Sequence, residues 1–109
     1  MAFDEIVAGR IRTLLVDEPD ITEMRMFGGL AFLARGNMAV AAGSSGGVMV
    51  RTDPAEADAA YLAEAVPMVM NGREMASWLT LDAAAIEADD ALAAVVAHGL
   101  AFARTLPAK

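Results

Sequence analysis

Met24-Arg25-Met26-Phe27-Gly28-Gly29-Leu30-Ala31-Phe32-Leu33, then Ala34-Arg35-Gly36-Asn37-Met38-Ala39-Val40-Ala41-Ala42-Gly43, then Val48-Met49-Val50-Arg51-Thr52 is the stretch whose reading decides the fold. Short apolar runs broken by glycine-rich punctuation about every ten residues are how an antiparallel meander is written in sequence. Strands are expected over 21–27, 30–33, 38–42 and 48–52. Arg35-Gly36-Asn37 and Ser44-Ser45-Gly46-Gly47 supply turns. Gly28-Gly29 either turns the chain or lets another element approach bare backbone. In the first strand Met24 and Met26 share one face, Glu23 and Arg25 the other, a half-buried pattern.

Outward from this stretch the pattern becomes helical on both sides. Toward the N-terminus, Phe3, Ile6, Val7, Ile11, Leu14 and Leu15 recur at helical spacing, and Asp17-Glu18-Pro19-Asp20 stops the helix. Toward the C-terminus, Asp53-Pro54-Ala55-Glu56 reads as a cap, a first-turn proline and a back-bonding carboxylate, predicting a middle helix to about Ala63. Val66 to Met70 and Met75 to Leu81, joined across Asn71-Gly72, read as a second hairpin. A last amphipathic helix starts near Asp89 or Asp90, carries Leu92, Val95, Val96, Gly99, Phe102, Ala103 and Leu106 on one side, and ends at Pro107. The assignment of residues 82–88 stays open between an extension of that helix and a separate turn. The expected architecture is a two-layer α+β domain over residues 1–109, with an antiparallel sheet of about five or six strands. An N-terminal, a middle and a C-terminal helix pack on it.

The totals bound the function. A chain of 109 residues makes one domain. Its 57% hydrophobic content is rich in alanine, so the working core is smaller than that figure suggests. No apolar run reaches the ~20 residues of a membrane-spanning helix. The acidic start lacks a secretory pattern, so the expected compartment is cytoplasmic. Cysteine is absent, which removes disulfides, thiolate nucleophiles and zinc-thiolate sites. A net charge of −7 disfavours direct nucleic-acid binding, which depends on Lys and Arg displacing counterions. A local patch formed from Arg25, Arg35, Arg51 and Arg73 would be the exception.

Candidate chemistry is sparse. Gly43-Ser44-Ser45-Gly46-Gly47 matches G-x-S-x-G, and Ser45, an Asp at 82, 89 or 90, and His98 follow in the order of a hydrolase triad. A nucleophile elbow, however, needs a helix where Val48 to Thr52 reads as a strand. A hairpin turn is the better reading. His98, the sole histidine, falls short of a metal constellation and reads as a packed or surface helix residue. Neither Asp17-Glu18-Pro19-Asp20 nor Asp89-Asp90 has the spacing of a calcium loop. Neither G-x-G-x-x-G nor a G-K-S/T phosphate loop occurs. No cofactor and no metal are expected. The methionines suggest core packing, with a pliable Met-lined pocket as the rival.

Arg25-Met26-Phe27-Gly28-Gly29-Leu30-Ala31-Phe32, followed by Gly36-Asn37-Met38 and Met49-Val50-Arg51, resembles the N-terminal domain of the TfoX/Sxy family. Asn71-Gly72-Arg73-Glu74-Met75 with Trp78 is similar to that domain's second hairpin, and Leu100 to Pro107 to its last helix. The resemblance covers essentially the whole chain and implies an α+β fold with an antiparallel sheet. It also implies an association with natural competence, whose named regulators act on DNA-uptake gene expression and commonly carry a second, C-terminal domain. The chain reads as a single-domain member. No catalytic residues carry over. The expected function is a non-enzymatic regulatory or protein-interaction module, acting through a sheet edge or an apolar groove beside Gly28-Gly29. Arg25, Phe27, Gly28, Gly29, Arg51 and Arg73 are its candidate contact residues, and the chain is expected to be a monomer or weak homodimer. Rival readings are a small-molecule binder or minor enzyme with a Met-lined pocket, and a nucleic-acid-associated regulator.

Overall fold

A computed structural model describes residues 5–26, 29–43, 46–53, 65–70 and 72–107. Helix α1 (Glu5–Leu14) is followed by strands β1 (Ile21–Met26), β2 (Gly29–Ala34), β3 (Asn37–Ala42) and β4 (Val48–Arg51). Strands β5 (Val66–Met70) and β6 (Arg73–Leu81), a 3-10 turn (Ala84–Ile86) and helix α2 (Asp89–Arg104) complete the described order. The six strands form one sheet in the order β1-β2-β3-β4-β6-β5, and every neighbouring pair is antiparallel. The middle helix expected over 53–63 falls mainly on 54–63, outside the described residues.

The turns follow local chemistry. Arg35 and Gly36 both take positive φ, 53° and 84°, between Ala34 and Asn37, which pair directly. Two consecutive left-handed residues match the right-handed twist of the strands they join. Between Phe32 and Leu33 the β2–β3 register slips, because Ala39 has no partner while Met38 and Val40 do. This β-bulge lets Ala39 pack with Ala34 and Ala103, while Val40 joins the main core.

That core lies between one sheet face and the two helices. Leu30, Phe32, Val40, Ala42, Val48, Val50, Leu79 and Leu81 from the strands meet Val7, Ile11 and Leu15 near the N-terminus and Ile86, Leu92, Val95 and Val96 near the C-terminus. The seam of α1 is narrower than its apolar pattern. Val7, Ala8, Ile11 and Leu15 are buried, whereas Ile6 is 78% exposed and Leu14 also faces outward. Both belong to the apolar face that the spacing predicts; a single short helix on one sheet face uses only one turn-by-turn row of that face.

The outer strand β1 reverses its expected sense. Cross-strand partners share a face, and Glu23 and Arg25 lie opposite Phe32 and Leu30 of the helix-covered core. Arg12 of α1 reaches Glu23 through two contacts of 2.8 Å. Met24, expected on the half-buried side, belongs to the opposite face and is 49% exposed. β1 is an edge strand, so its alternation carries no burial on that side.

Residues 82–88 form a turn of their own. Asp82 accepts a 2.9 Å bond from the Ala85 N–H, and the extended conformation at Ala88 separates the turn from α2. Arg10 clamps this region to α1, donating to the carbonyls of Ile86 (2.8 Å) and Glu87 (3.2 Å) and to Asp89 (3.2 Å). No helix among the described residues is long and apolar enough to cross a membrane.

Candidate functional site

Gly99 sets the geometry of the site. A Cβ built there would overlap the carbonyl oxygen of Ala39 and come within 2.8 Å of Val50 Cγ2. Bare backbone at this position therefore lets α2 settle directly onto the β3 bulge and β4. The neighbouring residues of α2 are then carried down to the end of β4, where two separate constellations form.

In the first, His98 Nε2 lies 2.6 Å from Thr52 Oγ1. Thr52 Oγ1 also lies 3.0 Å from the Asp53 carbonyl oxygen, so the hydroxyl has two partners within hydrogen-bond distance. A hydroxyl beside an imidazole has the outline of a nucleophile and base. Thr52 is 0% exposed, however, so no substrate reaches its oxygen. The Thr52 N–H also donates to the Ser77 carbonyl at 2.9 Å. This pair is a strut tying β4 and β6 to α2.

In the second, the Arg51 guanidinium carbon sits 5.4 Å from the ring centroid of Trp78 and 5.2 Å from that of Phe102. Trp78 is its direct cross-strand partner on β6 and is 7% exposed; Phe102 comes from the last turns of α2. Arg51 is half-buried, and its Nε is buried without a hydrogen-bond partner. Burial pushes its pKa below the ordinary arginine value, though a guanidinium stays protonated at neutral pH. No ion pair among the described residues includes Arg51. Stacking on two aromatic rings contributes about 0.5–2 kcal/mol each, against about 1–3 kcal/mol for a buried donor left unmade. The result is a cation stacked on two rings, with an Nε donor that no described residue uses.

The remaining candidate residues do not join it. Arg25 is exposed on β1, three strands away from β4, about 14 Å across the sheet at the usual spacing. Arg73 is exposed at the start of β6, beyond Gly72, whose φ is 78°. The four-arginine patch is thus not assembled around Arg51. Gly29 is buried, and a Cβ there would overlap the Ala42 carbonyl oxygen, so its role is close strand approach. Phe27, Gly28 and Ser45 lie outside the described residues. Trp78 and Phe102 were missed as site residues: they stand 27 and 51 positions from Arg51, and no spacing signals their meeting.

A cleft of about 340 Å³ opens between the helices, lined by Arg10, Thr13, Leu14, Asp89 and Leu92. No methionine lines it. Met38 and Met49 instead pack on Ala31, Leu33 and Ala41, on the sheet face away from the main core.

An antiparallel sheet with helices on one face defines the class: a small α+β domain, with a ring-stacked cation at one strand end. The family model of the TfoX N-terminal domain matches residues 13–103, and the chain belongs to that family. Comparisons with curated proteins and with solved structures gave no match.

Proposed function

We propose that this domain is a non-enzymatic regulatory module of the TfoX N-terminal type that acts in the cytoplasm by binding a protein partner. The observation that carries the reading is Arg51, a half-buried cation stacked on Trp78 and Phe102 that joins no ion pair among the described residues. A carboxylate from a partner is the natural complement, since it pairs with the two terminal guanidinium nitrogens through parallel charge-assisted bonds while Nε stays buried against the rings. The cation is preorganised, so binding costs little side-chain entropy. Arginine beside tryptophan is also the composition of interface anchors. The acidic net charge supports a protein ligand over a nucleic acid. The family's association with competence supports placing that partner in gene regulation.

Affinity capture from native cytoplasm tests this, comparing the wild-type chain with Arg51→Ala and Arg51→Lys and using Trp78 fluorescence to verify folding. The expected result is a partner retained by the wild type and lost from Arg51→Ala, with Arg51→Lys intermediate because a lysine offers charge without the planar fork. Identical captured sets for folded wild type and Arg51→Ala would remove Arg51 from the interface.

A further inference from the structure

The two edges of the sheet differ. β5 carries Pro67, which has no N–H to offer a new strand. β1 has no proline, and Thr22, Glu23, Met24 and Arg25 are all exposed along it. Arg35 N–H donates to the Asp20 carbonyl at 3.1 Å in register with the β1–β2 ladder. Antiparallel bonding alternates from that point, so the N–H and C=O groups of Ile21, Glu23 and Arg25 turn away from β2 toward the open edge.

We propose that β1 pairs antiparallel with β1 of a second copy of this chain, about a two-fold axis through Met24, forming one continuous twelve-stranded sheet. This inference is independent of the Arg51 reading. Charge selects the register. With the axis at Met24, Glu23 of one copy faces Arg25 of the other, and symmetry repeats the pair. Both residues lie on the helix-covered side and both present outward backbone groups, so each pair closes a hydrogen-bonded ring as well as a charge pair. Moving the axis one residue toward the N-terminus sets Glu23 against Glu23, and one residue toward the C-terminus sets Arg25 against Arg25. Like charges directly opposite are destabilising. On the far face the same axis places the two half-exposed Met24 side chains against each other. The Arg12 contact to Glu23 leaves that carboxylate with acceptor capacity for an arginine from the facing strand. The isologous arrangement satisfies the rule that a two-fold interface be self-complementary.

Sedimentation of the full chain from micromolar to millimolar concentration, at an ionic strength that screens the net charge of −7, reads the association directly. The expected result is reversible growth from 11.3 kDa to twice that mass. Arg25→Glu raises the dissociation constant by about tenfold or more, because both symmetric pairs become repulsive. Glu23→Arg with Arg25→Glu, made together with Arg12→Glu so that the contact to α1 is kept, restores association, since it exchanges the charges without changing the register. The absence of native cysteine makes a register test available. Met24→Cys forms an interchain disulfide under mild oxidation, its two Cα atoms lying about 4.5 Å apart in a non-hydrogen-bonded pair. Thr22→Cys does not, because its two copies are separated by about 14 Å. A monomer throughout the range, an unchanged constant in folded Arg25→Glu, or equal crosslinking of the two cysteine variants would each overturn the proposal.

Discussion

His98 Nε2 and Thr52 Oγ1 lie 2.6 Å apart, and both residues are buried. The bond joins the middle of α2 to the end of β4, two elements 46 positions apart in the chain. It makes the only histidine of the protein a structural residue. Thr52→Val keeps the shape of the side chain and removes the hydroxyl that His98 Nε2 bonds, with an expected loss of about 1–3 kcal/mol. The double variant with His98→Ala loses less than the sum of the singles, by on the order of 1 kcal/mol, in a urea-denaturation cycle.

Gly99 and Gly9 both sit in helices, and alanine at the two sites has opposite effects. At Gly9 no atom lies within 4 Å of the added Cβ, so Gly9→Ala gains about 0.5–1 kcal/mol of helix propensity. At Gly99 the added carbon meets the Ala39 carbonyl and Val50, both fixed in the sheet. Gly99→Ala lifts α2 and costs about 1–3 kcal/mol net, as overpacking does. Thermal unfolding of the two variants reads the signs directly.

Arg51→Met separates stability from binding. The variant keeps most of the hydrocarbon stem against Trp78 and Phe102 and removes the unsatisfied Nε. Lost cation–π stacking and relieved desolvation act in opposite directions, so stability changes by less than about 1 kcal/mol. Partner capture is lost. A large destabilisation on denaturation would show that the charge serves the fold instead.

The Arg12–Glu23 pair gives stability a defined acid dependence. The hydrogen bond from Arg12 holds the Glu23 carboxyl below its ordinary value, ahead of the opposing effect of burial. A depressed folded-state pKa contributes stability above the unfolded value, near 4.3, and loses it as pH falls through the folded one. The pair is exposed, so solvent screening keeps its contribution small. Arg12→Ala therefore lowers stability slightly at pH 7, and its difference from the wild type shrinks as the pH falls below the unfolded carboxyl value, as followed by urea midpoints.

Much of the fold was legible because glycine punctuation and strand alternation are local signals. Leu30 to Leu33, Met38 to Ala42 and Val66 to Met70 became strands close to where their patterns placed them, and α2 began at Asp89. What periodicity cannot state is which face meets the core. For β1 that choice was reversed, since Glu23 is drawn to Arg12 on a helix the strand pattern does not encode. The alanines at 83–85 and 88 could mark either a helix or a turn, and Asp82 decided for the turn. Arg51 could be singled out as a charge in an apolar strand, but its rings arrive from β6 and α2 through tertiary packing alone. The family resemblance was visible in the same residues and is borne out over residues 13–103.

The unpaired Ala39 makes chain length itself a control on this domain. Removing that one codon would leave Phe32 opposite Val40 and Leu33 opposite Met38, so the hairpin would still zip. Yet the ledge under Gly99 would vanish, and α2 would lose the foothold that brings His98 to Thr52 and Phe102 to Arg51. A deletion invisible to strand pairing would thus unseat both constellations at once.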